Sequence, residues 1–314
     1  MENNSTRILV IGAGVNGSVC AARLHERSID VMVLARSERI EEINREGIII
    51  ENPFSHKRIV TKVKVIGKLL PHDVYDYVLV VVRRNQVPDL LPVLAVNDSP
   101  NIVFMGNNLA GPGEMIRTLG KKRVMMGFVF AGGKGDRDII RAIGPTKLPG
   151  LAPPFGEMDG TVTPRLKKLV NIFNRAGLKA QISTNIVDWL ATHASGVAVI
   201  GSMVMKYHND IKVLAQSADD LKLTAAAMRE TFSVLKALGH KIVPASQSLI
   251  AVLPQFTMEF MLRLLFNSKL GEVGAAWHVS QAPDEMQAFA DDLREMVIKS
   301  GLPVPTLRRV LDMK

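Results

Sequence analysis

Three glycines near the start of the chain, Gly12, Gly14 and Gly17, have a spacing that suits phosphate binding. They follow the apolar run RILVIGA (7–13) and precede a segment whose apolar residues recur at helical spacing. In such a strand, turn and helix, the first glycine permits the bend, the second lets backbone approach a pyrophosphate, and the third allows close packing. The helix N-terminus then favours the negative charge. The pattern predicts a dinucleotide site that contains Gly12, Gly14, Val15, Asn16 and Gly17.

The residue after the second strand bears on which dinucleotide is bound. DVMVLA (30–35) ends at Arg36, where an acidic residue would hold the ribose 2′-hydroxyl of NAD. An arginine suits a 2′-phosphate instead, so Arg36 favours NADP(H). The alternative is a solvated arginine that simply precedes the predicted helix SERIEEINREG (37–47).

Strand-like runs continue along the first half of the chain and alternate with helical patterns. They are GIIIEN (47–52), KRIVTKVKVIG (57–67), YDYVLVVV (75–82), NIVFMGN (101–107), VMMGFVFAGGKG (124–135) and LKAQIS (178–183). We therefore predict an α/β fold, with a Rossmann-type, doubly wound parallel sheet over residues 1–183. Ligands bind beyond the carboxyl ends of such strands, and Arg83 and Asn107 stand at two of those ends.

From residue 184 the pattern changes to helices, which predicts an all-α domain over residues 184–314. Helical periodicity covers residues 185–207, 217–238 and 283–300, with prolines between or after the helices. The chain contains no G-x-S-x-G, H-E-x-x-H or Walker motif, which excludes the common hydrolase, metalloprotease and NTPase sites. With one cysteine and no ligand motif, we expect no metal site.

Charge and composition limit the classes of partner that we expect the protein to bind. Lys and Arg number 39 against 30 Asp and Glu, a formal net charge of +9, but the charges are scattered and few aromatic residues are available to stack on bases. We expect no nucleic acid; the excess charge would attract an anionic cofactor and a small carboxylate substrate. The single cysteine, Cys20, and a start without a signal-like segment favour the cytoplasm. The longest apolar runs are too short for a membrane span.

Motifs distributed along the chain resemble the ketopantoate reductase family. They are IGAGVNG (11–17), VVVRRNQV (80–87), MGNN (105–108), the helix that begins near Trp189, and DEMQAFADDLREMVIKSGLPVPTL (284–307). The resemblance implies a Rossmann-type domain followed by a helical domain. It also implies NADPH-dependent reduction of 2-dehydropantoate, a step of pantothenate biosynthesis.

The resemblance also assigns roles to individual residues. Arg83 stands where the family usually has a lysine that meets the cofactor phosphate or ribose, and Asn107 matches the asparagine near the nicotinamide. Glu285, with Pro305 twenty residues later, matches the substrate-holding glutamate. Ser268 imperfectly matches a serine that contacts substrate. The residues leave other readings open for two of these, because Glu285 could serve the helix dipole and Asn107 a turn.

The family's proton donor is missing. Members typically read Trp-x-Lys-Leu here, and the lysine protonates the alkoxide that forms when hydride reaches a 2-oxo acid. In this chain the corresponding helical face reads Ala191, Ser195 and Val199, none of which is a strong acid. A positioned donor commonly contributes 10²- to 10⁴-fold in rate.

Three other donors are conceivable. His193 titrates in the right range, but it lies roughly 200° around the helix from Ala191. Lys206 lies ~22 Å further along the axis, which is too far. Lys269 could reach in from a loop, and an ordered water is the remaining candidate.

The sequence leaves three functions open. The first is an NADP(H)-dependent oxidoreductase that reduces a small 2-oxo acid or a related carbonyl compound. The second is a non-catalytic NADP(H)-binding protein. The third is a dehydrogenase that oxidises a different hydroxy acid or an amine on the same architecture. The apolar helix TMEFMLRLLF (257–266) suits either core packing or a homodimer face.

Overall fold

The structure is a computed structural model that describes residues 6–129, 132–136, 139–143 and 152–313. It divides into two compact units, one formed by Met1–Gly106 with Pro112–Ile186, and the other by Asn107–Gly111 with Val187–Lys314. The predicted boundary was residue 183. The division falls instead after Ile186, and a short loop that follows a strand of the first unit is grouped with the second.

The first unit alternates strands and helices. In chain order its elements are β1 (Arg7–Ile11), α1 (Val15–His25), β2 (Asp30–Leu34), α2 (Ser37–Glu46), β3 (Ile48–Glu51), β4 (Arg58–Thr61), β5 (Lys64–Ile66), β6 (Tyr77–Val80), a 3-10 turn (Arg84–Gln86), α3 (Val87–Val96), β7 (Ile102–Met105), α4 (Gly113–Leu119), β8 (Val124–Gly127), β9 (Gly132–Asp136), β10 (Ile139–Ile143), β11 (Pro154–Glu157), α5 (Pro164–Arg175) and β12 (Gln181–Ile182).

Eight of these strands form the main sheet, in the order β12-β11-β8-β7-β6-β1-β2-β5. Every neighbouring pair is parallel except β8 and β11, which are antiparallel. The central strands are buried on both faces, which explains their near-continuous apolar sequences. The predicted Rossmann-type sheet is confirmed.

The other four strands form a second sheet that the sequence did not predict, in the order β4-β3-β10-β9. The run at 124–135, expected to continue the main sheet, does so only in β8, because β9 pairs with β10. The run at 57–67 is likewise divided between β4 of the small sheet and β5 of the main one. An apolar run predicts a strand but not its partner, so this part of the prediction was wrong.

The buried side chains of the first unit are almost entirely apolar. Cys20 on α1 is fully buried, and burial raises the pKa of its thiol to about 12. It is therefore a packed thiol, not a reactive one. One polar cluster stands out at the start of α5, where the Arg165 guanidinium donates to the buried Glu157 carboxylate, whose Oε1 lies 2.7 Å from Arg165 Nε.

All regular elements of the second unit are helices in its described residues, as predicted, and the segment Asn107–Gly111 is a loop. Its elements are α6 (Ile186–Lys206), α7 (Ile211–Gln216), α8 (Ala218–Ala237), α9 (Ala245–Val252), α10 (Gln255–Asn267), α11 (Lys269–Gly271), a π-helical turn (Glu272–Ala276), α12 (Trp277–Gln281), α13 (Pro283–Ser300) and α14 (Pro305–Leu311). The first residue of α6 is grouped with the sheet, and the rest with the helices.

The longest helix of this unit, α6, passes through its apolar core. Small and branched residues such as Ala194, Ala198 and Val204 are almost fully buried there. Among the described helices, α6 alone is long and apolar enough to cross a membrane by length and composition, although the apolar runs had seemed too short. Since 67% of the apolar stretch of α6 is buried inside the protein, we interpret α6 as a core helix.

Candidate active site

Two of the three glycines are required by the backbone of the first unit. Gly12 follows β1 with φ +106°, and a Cβ there would lie 2.3 Å from the Val81 carbonyl oxygen. A Cβ on Gly17 would lie 1.9 Å from the Gly12 carbonyl oxygen. Helix α1 can therefore lie this close to the turn only because its residue 17 is a glycine. These constraints belong to the fold and would exist without any ligand.

Gly14 is different. Its φ is −74°, which any residue can adopt, and a Cβ placed there would meet nothing within 4 Å. Gly14 is the N-cap of α1, and no side chain caps the first N–H groups of that helix. Apart from the modest preference for glycine at an N-cap, the described fold gives no reason for a glycine at this position, whereas a close approach of phosphate to the backbone does.

Asn16 adds a polar atom to the same helix end. It is the second residue of α1, and its side-chain oxygen is buried with no hydrogen-bond partner among the described residues. A buried oxygen without a donor is costly, so a ligand group that donates to it would stabilise the site.

Arg36 lies at the same edge of the sheet as the glycine turn. β1 and β2 are parallel neighbours in which Ile11 lies opposite Leu34, so Gly12 and Arg36 both follow the carboxyl ends of adjacent strands. Arg36 is the N-cap of α2 and is exposed, and within the described ranges no carboxylate pairs with it. The guanidinium is thus available to an anion at this edge.

Arg83 follows β6, the neighbour of β1 on its other side, where Ile11 lies opposite Val80. Arg83 is half-buried, and its backbone N–H donates to the side-chain oxygen of Gln86, 3.2 Å away. The glycine turn, Arg36 and Arg83 are therefore carried by three adjacent strands. Together they place the uncapped N-terminus of α1 and two arginine side chains at one edge of the sheet, which fits a dinucleotide with several phosphates.

Asn107 begins the five-residue segment Asn107–Gly111 that is grouped with the second unit. Its side chain is 8% exposed, and its Oδ1 has no hydrogen-bond partner in the described part of the chain. Asn108 Oδ1 is buried without a partner in the same part of the chain, but the Asn108 side chain also has a local role, because its Nδ2 donates to the Gly111 carbonyl oxygen at 3.1 Å. Of the two asparagines, Asn107 is the better candidate for a ligand contact.

In the helical unit, His193 of α6 is stacked on Trp189, with ring centroids 5.0 Å apart and an interplanar angle of 16°. Burial and then the nearby His278 lower the pKa of His193 to about 4. The imidazole is therefore neutral near pH 7. In that state it can donate one N–H hydrogen bond but brings no positive charge to a developing oxyanion.

His278 was missed by the sequence reasoning. Its Nε2 lies 3.2 Å from Oε2 of Glu285, the buried carboxylate already singled out by the family resemblance. When His278 is protonated this contact is an ion pair, and the side chain remains about one-third exposed. The π-helical turn that precedes α12 is a further signal, since such turns are frequent at functional sites.

The face that carries the family's lysine contains buried, non-ionisable side chains. Ala191 is 2% exposed, and Ser195 and Val199 are fully buried. The Ser195 hydroxyl donates to the Thr192 carbonyl oxygen at 2.9 Å, so it serves its own helix. These three side chains therefore offer no ionisable group on this face of α6.

Ser268 and Lys269 both have local partners. The Ser268 hydroxyl donates to the Leu265 carbonyl oxygen at 2.6 Å and accepts from the Gly271 N–H at 3.0 Å, which caps α11. Lys269 Nζ lies 3.0 Å from Glu272 Oε2 and 5.8 Å from the centre of the Trp277 ring. Lys206, the other lysine considered, is bound to the buried Asp220 at 2.6 Å.

The lowered pKa of His193 predicts a specific acid sensitivity. Unfolded His193 takes up a proton near pH 6.5, whereas the folded residue does so only near pH 4. Above pH 6.5 the lowered pKa therefore has no effect on the free energy of unfolding. Between pH 6.5 and pH 4 it lowers this free energy progressively, by on the order of 3 kcal/mol. In urea titrations across this range, wild type should lose this much more stability than the His193→Gln variant. Parallel losses in the two proteins would contradict the prediction.

Comparisons with known proteins agree with this architecture. Residues 8–142 match the family model described as Ketopantoate reductase PanE/ApbA. The 2-dehydropantoate 2-reductase of Pyrococcus horikoshii is 25% identical over 189 residues, a match that spans 58% of this chain and 58% of the relative's length. The match over residues 8–142 supports, for that part of the chain, the resemblance to the ketopantoate reductase family that the motifs indicated.

Solved structures extend the likeness in fold to nearly the whole chain. D-mandelate dehydrogenase in a ternary structure with NADH and anilino(oxo)acetate superposes with a TM-score of 0.80, at 14% identity, over 98% of this chain and 96% of its own. The 2-dehydropantoate 2-reductase of Geobacter metallireducens GS-15 gives a TM-score of 0.77, at 16% identity, over 98% of both chains. At these identities the comparison establishes the fold alone.

Proposed function

We propose that this protein is an NADP(H)-dependent oxidoreductase that reduces a small 2-oxo acid or a related carbonyl compound. The observation that carries the proposal is the glycine turn. Gly12 and Gly17 are required by the backbone, whereas Gly14 faces open space at the uncapped N-terminus of α1. A dinucleotide pyrophosphate on that helix end would account for the remaining glycine, Gly14.

Different residues of this chain would bind different parts of NADP(H). Backbone N–H groups at Gly14, Val15 and Asn16 would hold the pyrophosphate, and Arg36 would bind the 2′-phosphate. Arg83 would contact phosphate or ribose, and Asn107 would lie near the nicotinamide. When bound, NADPH supplies the hydride. The NADH in the D-mandelate dehydrogenase structure supports a nicotinamide cofactor in this fold, and Arg36 favours its phosphorylated form.

The proton requires a group other than the family's lysine. Carbonyl reduction develops negative charge on oxygen, and a donor held by a carboxylate can stabilise and then protonate it. His278 is the best-placed candidate, because Glu285 lies 3.2 Å from its Nε2 and fixes its orientation. His193, neutral near pH 7, would contribute an N–H hydrogen bond.

The substrate class follows from the relatives and from charge. The relatives include 2-dehydropantoate 2-reductases and a dehydrogenase of D-mandelate bound to an oxoacetate, so 2-oxo and 2-hydroxy carboxylates are the shared chemistry. The net charge of +9 suits such anions. Glu285 would accept a hydrogen bond from a substrate hydroxyl, while Ser268 has only an acceptor left to offer. Oxidation of a different hydroxy acid or an amine would use the same groups in reverse.

A second candidate, a non-catalytic NADP(H)-binding protein, is favoured by one observation. The helical face on which the family carries its lysine holds only the buried residues Ala191, Ser195 and Val199. This candidate predicts tight cofactor binding without turnover of any carbonyl compound.

Calorimetric titration with NADPH, followed by turnover assays with 2-dehydropantoate and other 2-oxo acids, separates these readings. Binding with substrate-dependent NADPH oxidation supports the oxidoreductase. Binding without oxidation of any 2-oxo acid supports the second candidate. The absence of NADPH binding would contradict both.

The proposed preference for NADPH over NADH can be tested by replacing Arg36. The Arg36→Ala variant should bind NADPH about 10- to 100-fold more weakly, because charge-assisted bonds to the 2′-phosphate are lost. Its affinity for NADH, which lacks that phosphate, should be nearly unchanged. Arg27→Ala, which removes another exposed arginine at the far end of α1, serves as the control. Equal losses for both cofactors would contradict the assignment.

A further inference from the structure

The loop that follows β7 contains two buried side-chain oxygens that lack a hydrogen-bond donor among the described residues. Asn107 and Asn108 are 8% and 4% exposed, and the Oδ1 atom of each is buried without a partner there. Most buried polar atoms in folded proteins have a partner, because an unmade hydrogen bond inside a protein is costly. Two exceptions in adjacent residues therefore indicate a ligand that donates hydrogen bonds at this loop.

The Asn108 amide is held in one orientation. Its Nδ2 donates to the Gly111 carbonyl oxygen, and a carbonyl oxygen only accepts, so the amide cannot turn over without losing this bond. Oδ1 is therefore the atom that remains for a ligand. Leu109, the next residue, is 3% exposed and belongs to the apolar core of the second unit, which anchors the loop. The acceptor is thus positioned before a ligand binds, which lowers the entropy cost of binding.

The chemistry of an amide oxygen limits the groups that can bind to it. It accepts hydrogen bonds and does not donate them, so it cannot bond to a phosphate or to an ionised carboxylate, which also only accept. Two such oxygens in adjacent residues instead favour a nitrogen that carries two N–H donors. In NADP(H) the groups of this kind are the amino group of adenine and the carboxamide of nicotinamide.

The order of the strands decides between these two groups. The main sheet contains β7-β6-β1-β2, all parallel, so the carboxyl ends of these strands share one edge. In the proposed binding mode the pyrophosphate lies after β1, and the 2′-phosphate of the adenosine half lies at Arg36, after β2. The nicotinamide half then extends the other way, across β6 towards the end of β7, about 10 Å from β1 at a strand spacing of ~4.8 Å. Asn107 and Asn108 follow β7 after a single residue, Gly106.

We propose that Asn108 is a second binding residue for the nicotinamide end of the cofactor, and that its Oδ1, next to that of Asn107, accepts a hydrogen bond from the carboxamide NH2 group. This inference rests on the proposed function, because it requires a nicotinamide cofactor. It assigns to Asn108 a contact that is separate from the phosphate contacts of the glycine turn and Arg36.

The first test compares the binding of NADP⁺ and of its 3-acetylpyridine analogue, in which a methyl group replaces the carboxamide NH2. In calorimetric titrations wild type should bind the analogue about 10-fold more weakly, because the buried oxygens lose a donor. Equal affinities would overturn the proposal. Adenosine 2′,5′-bisphosphate, which lacks the nicotinamide half, reports on the rest of the site. A protein that binds neither NADP⁺ nor this bisphosphate would contradict the proposed function itself.

The second test removes the oxygen from the protein. Asn108→Ala should bind NADP⁺ about 5- to 10-fold more weakly than wild type, with little change for the analogue or the bisphosphate, so the preference for NADP⁺ should largely disappear. Asn174→Ala is the matched control, because Asn174 Nδ2 also donates to a backbone carbonyl oxygen, that of Ala180, at 3.1 Å. This control should keep the preference of wild type.

A preference for NADP⁺ that persists in Asn108→Ala would overturn the proposal. Retained binding of the bisphosphate by this variant shows that its nucleotide site is folded. If the variant loses that binding as well, the comparison of the two nucleotides on wild type decides.

Discussion

Replacing Gly14 by leucine is expected to abolish NADPH binding while leaving the protein folded. The backbone at Gly14 has φ −74°, and a Cβ there meets nothing within 4 Å, so the side chain causes no clash within the protein. The stability cost should be about 1 kcal/mol, since glycine is the better N-cap. The side chain would occupy the space next to the helix N-terminus that a pyrophosphate needs. We expect the affinity for NADPH, measured by calorimetry, to fall at least about 100-fold.

Gly17→Leu provides the contrast. Its Cβ would lie 1.9 Å from a backbone oxygen, so this variant should lose folding cooperativity as well as binding. If Gly14→Leu binds NADPH as wild type does, the dinucleotide is not on this helix end. If Gly14→Leu also unfolds, the glycine serves the fold and the argument from open space is wrong.

Replacing His278 by glutamine is expected to lower kcat about 10²- to 10³-fold with little change in the affinity for NADPH. The His278 imidazole contacts the buried carboxylate of Glu285, and removal of a general acid costs this much. The side chain is partly exposed, so the variant should fold normally.

Two further variants separate His278 from its neighbours. Glu285→Gln keeps the volume of the side chain but removes its charge. We expect kcat to fall and KM to rise, because in the proposed site Glu285 orients His278 and contacts substrate. His193→Gln should lower kcat less and keep the pH profile, because His193 is already neutral near pH 7. A His278→Gln enzyme with the kcat of wild type would show that the proton comes from elsewhere, with Lys269 the next candidate.

The sequence was most informative where a residue type is demanded by local geometry. The glycine turn could be predicted because Gly12 and Gly17 are fixed by backbone contacts that recur in every strand, turn and helix of this kind. The main sheet followed from its buried apolar strands. The small sheet did not, since the pairing of β3, β4, β9 and β10 depends on tertiary packing.

In the helical half, the sequence was much less informative about the candidate site. Glu285 could be singled out only through a family resemblance, and His278 not at all, because the two lie on different helices and meet across the break near Pro283. The depressed pKa of His193 likewise depends on burial and on His278, which one-dimensional spacing does not reveal. A histidine seven residues before a candidate glutamate, with a proline between them, was the available signal.

The most direct test of the central claim is the oxidation of NADPH by the purified wild-type protein in the presence of 2-dehydropantoate and a panel of other 2-oxo acids, followed by the absorbance of the reduced nicotinamide. We predict that at least one 2-oxo acid is reduced, that Gly14→Leu is inactive, and that His278→Gln is strongly impaired. A wild-type protein that binds NADPH but reduces none of these compounds would contradict the assignment as a reductase.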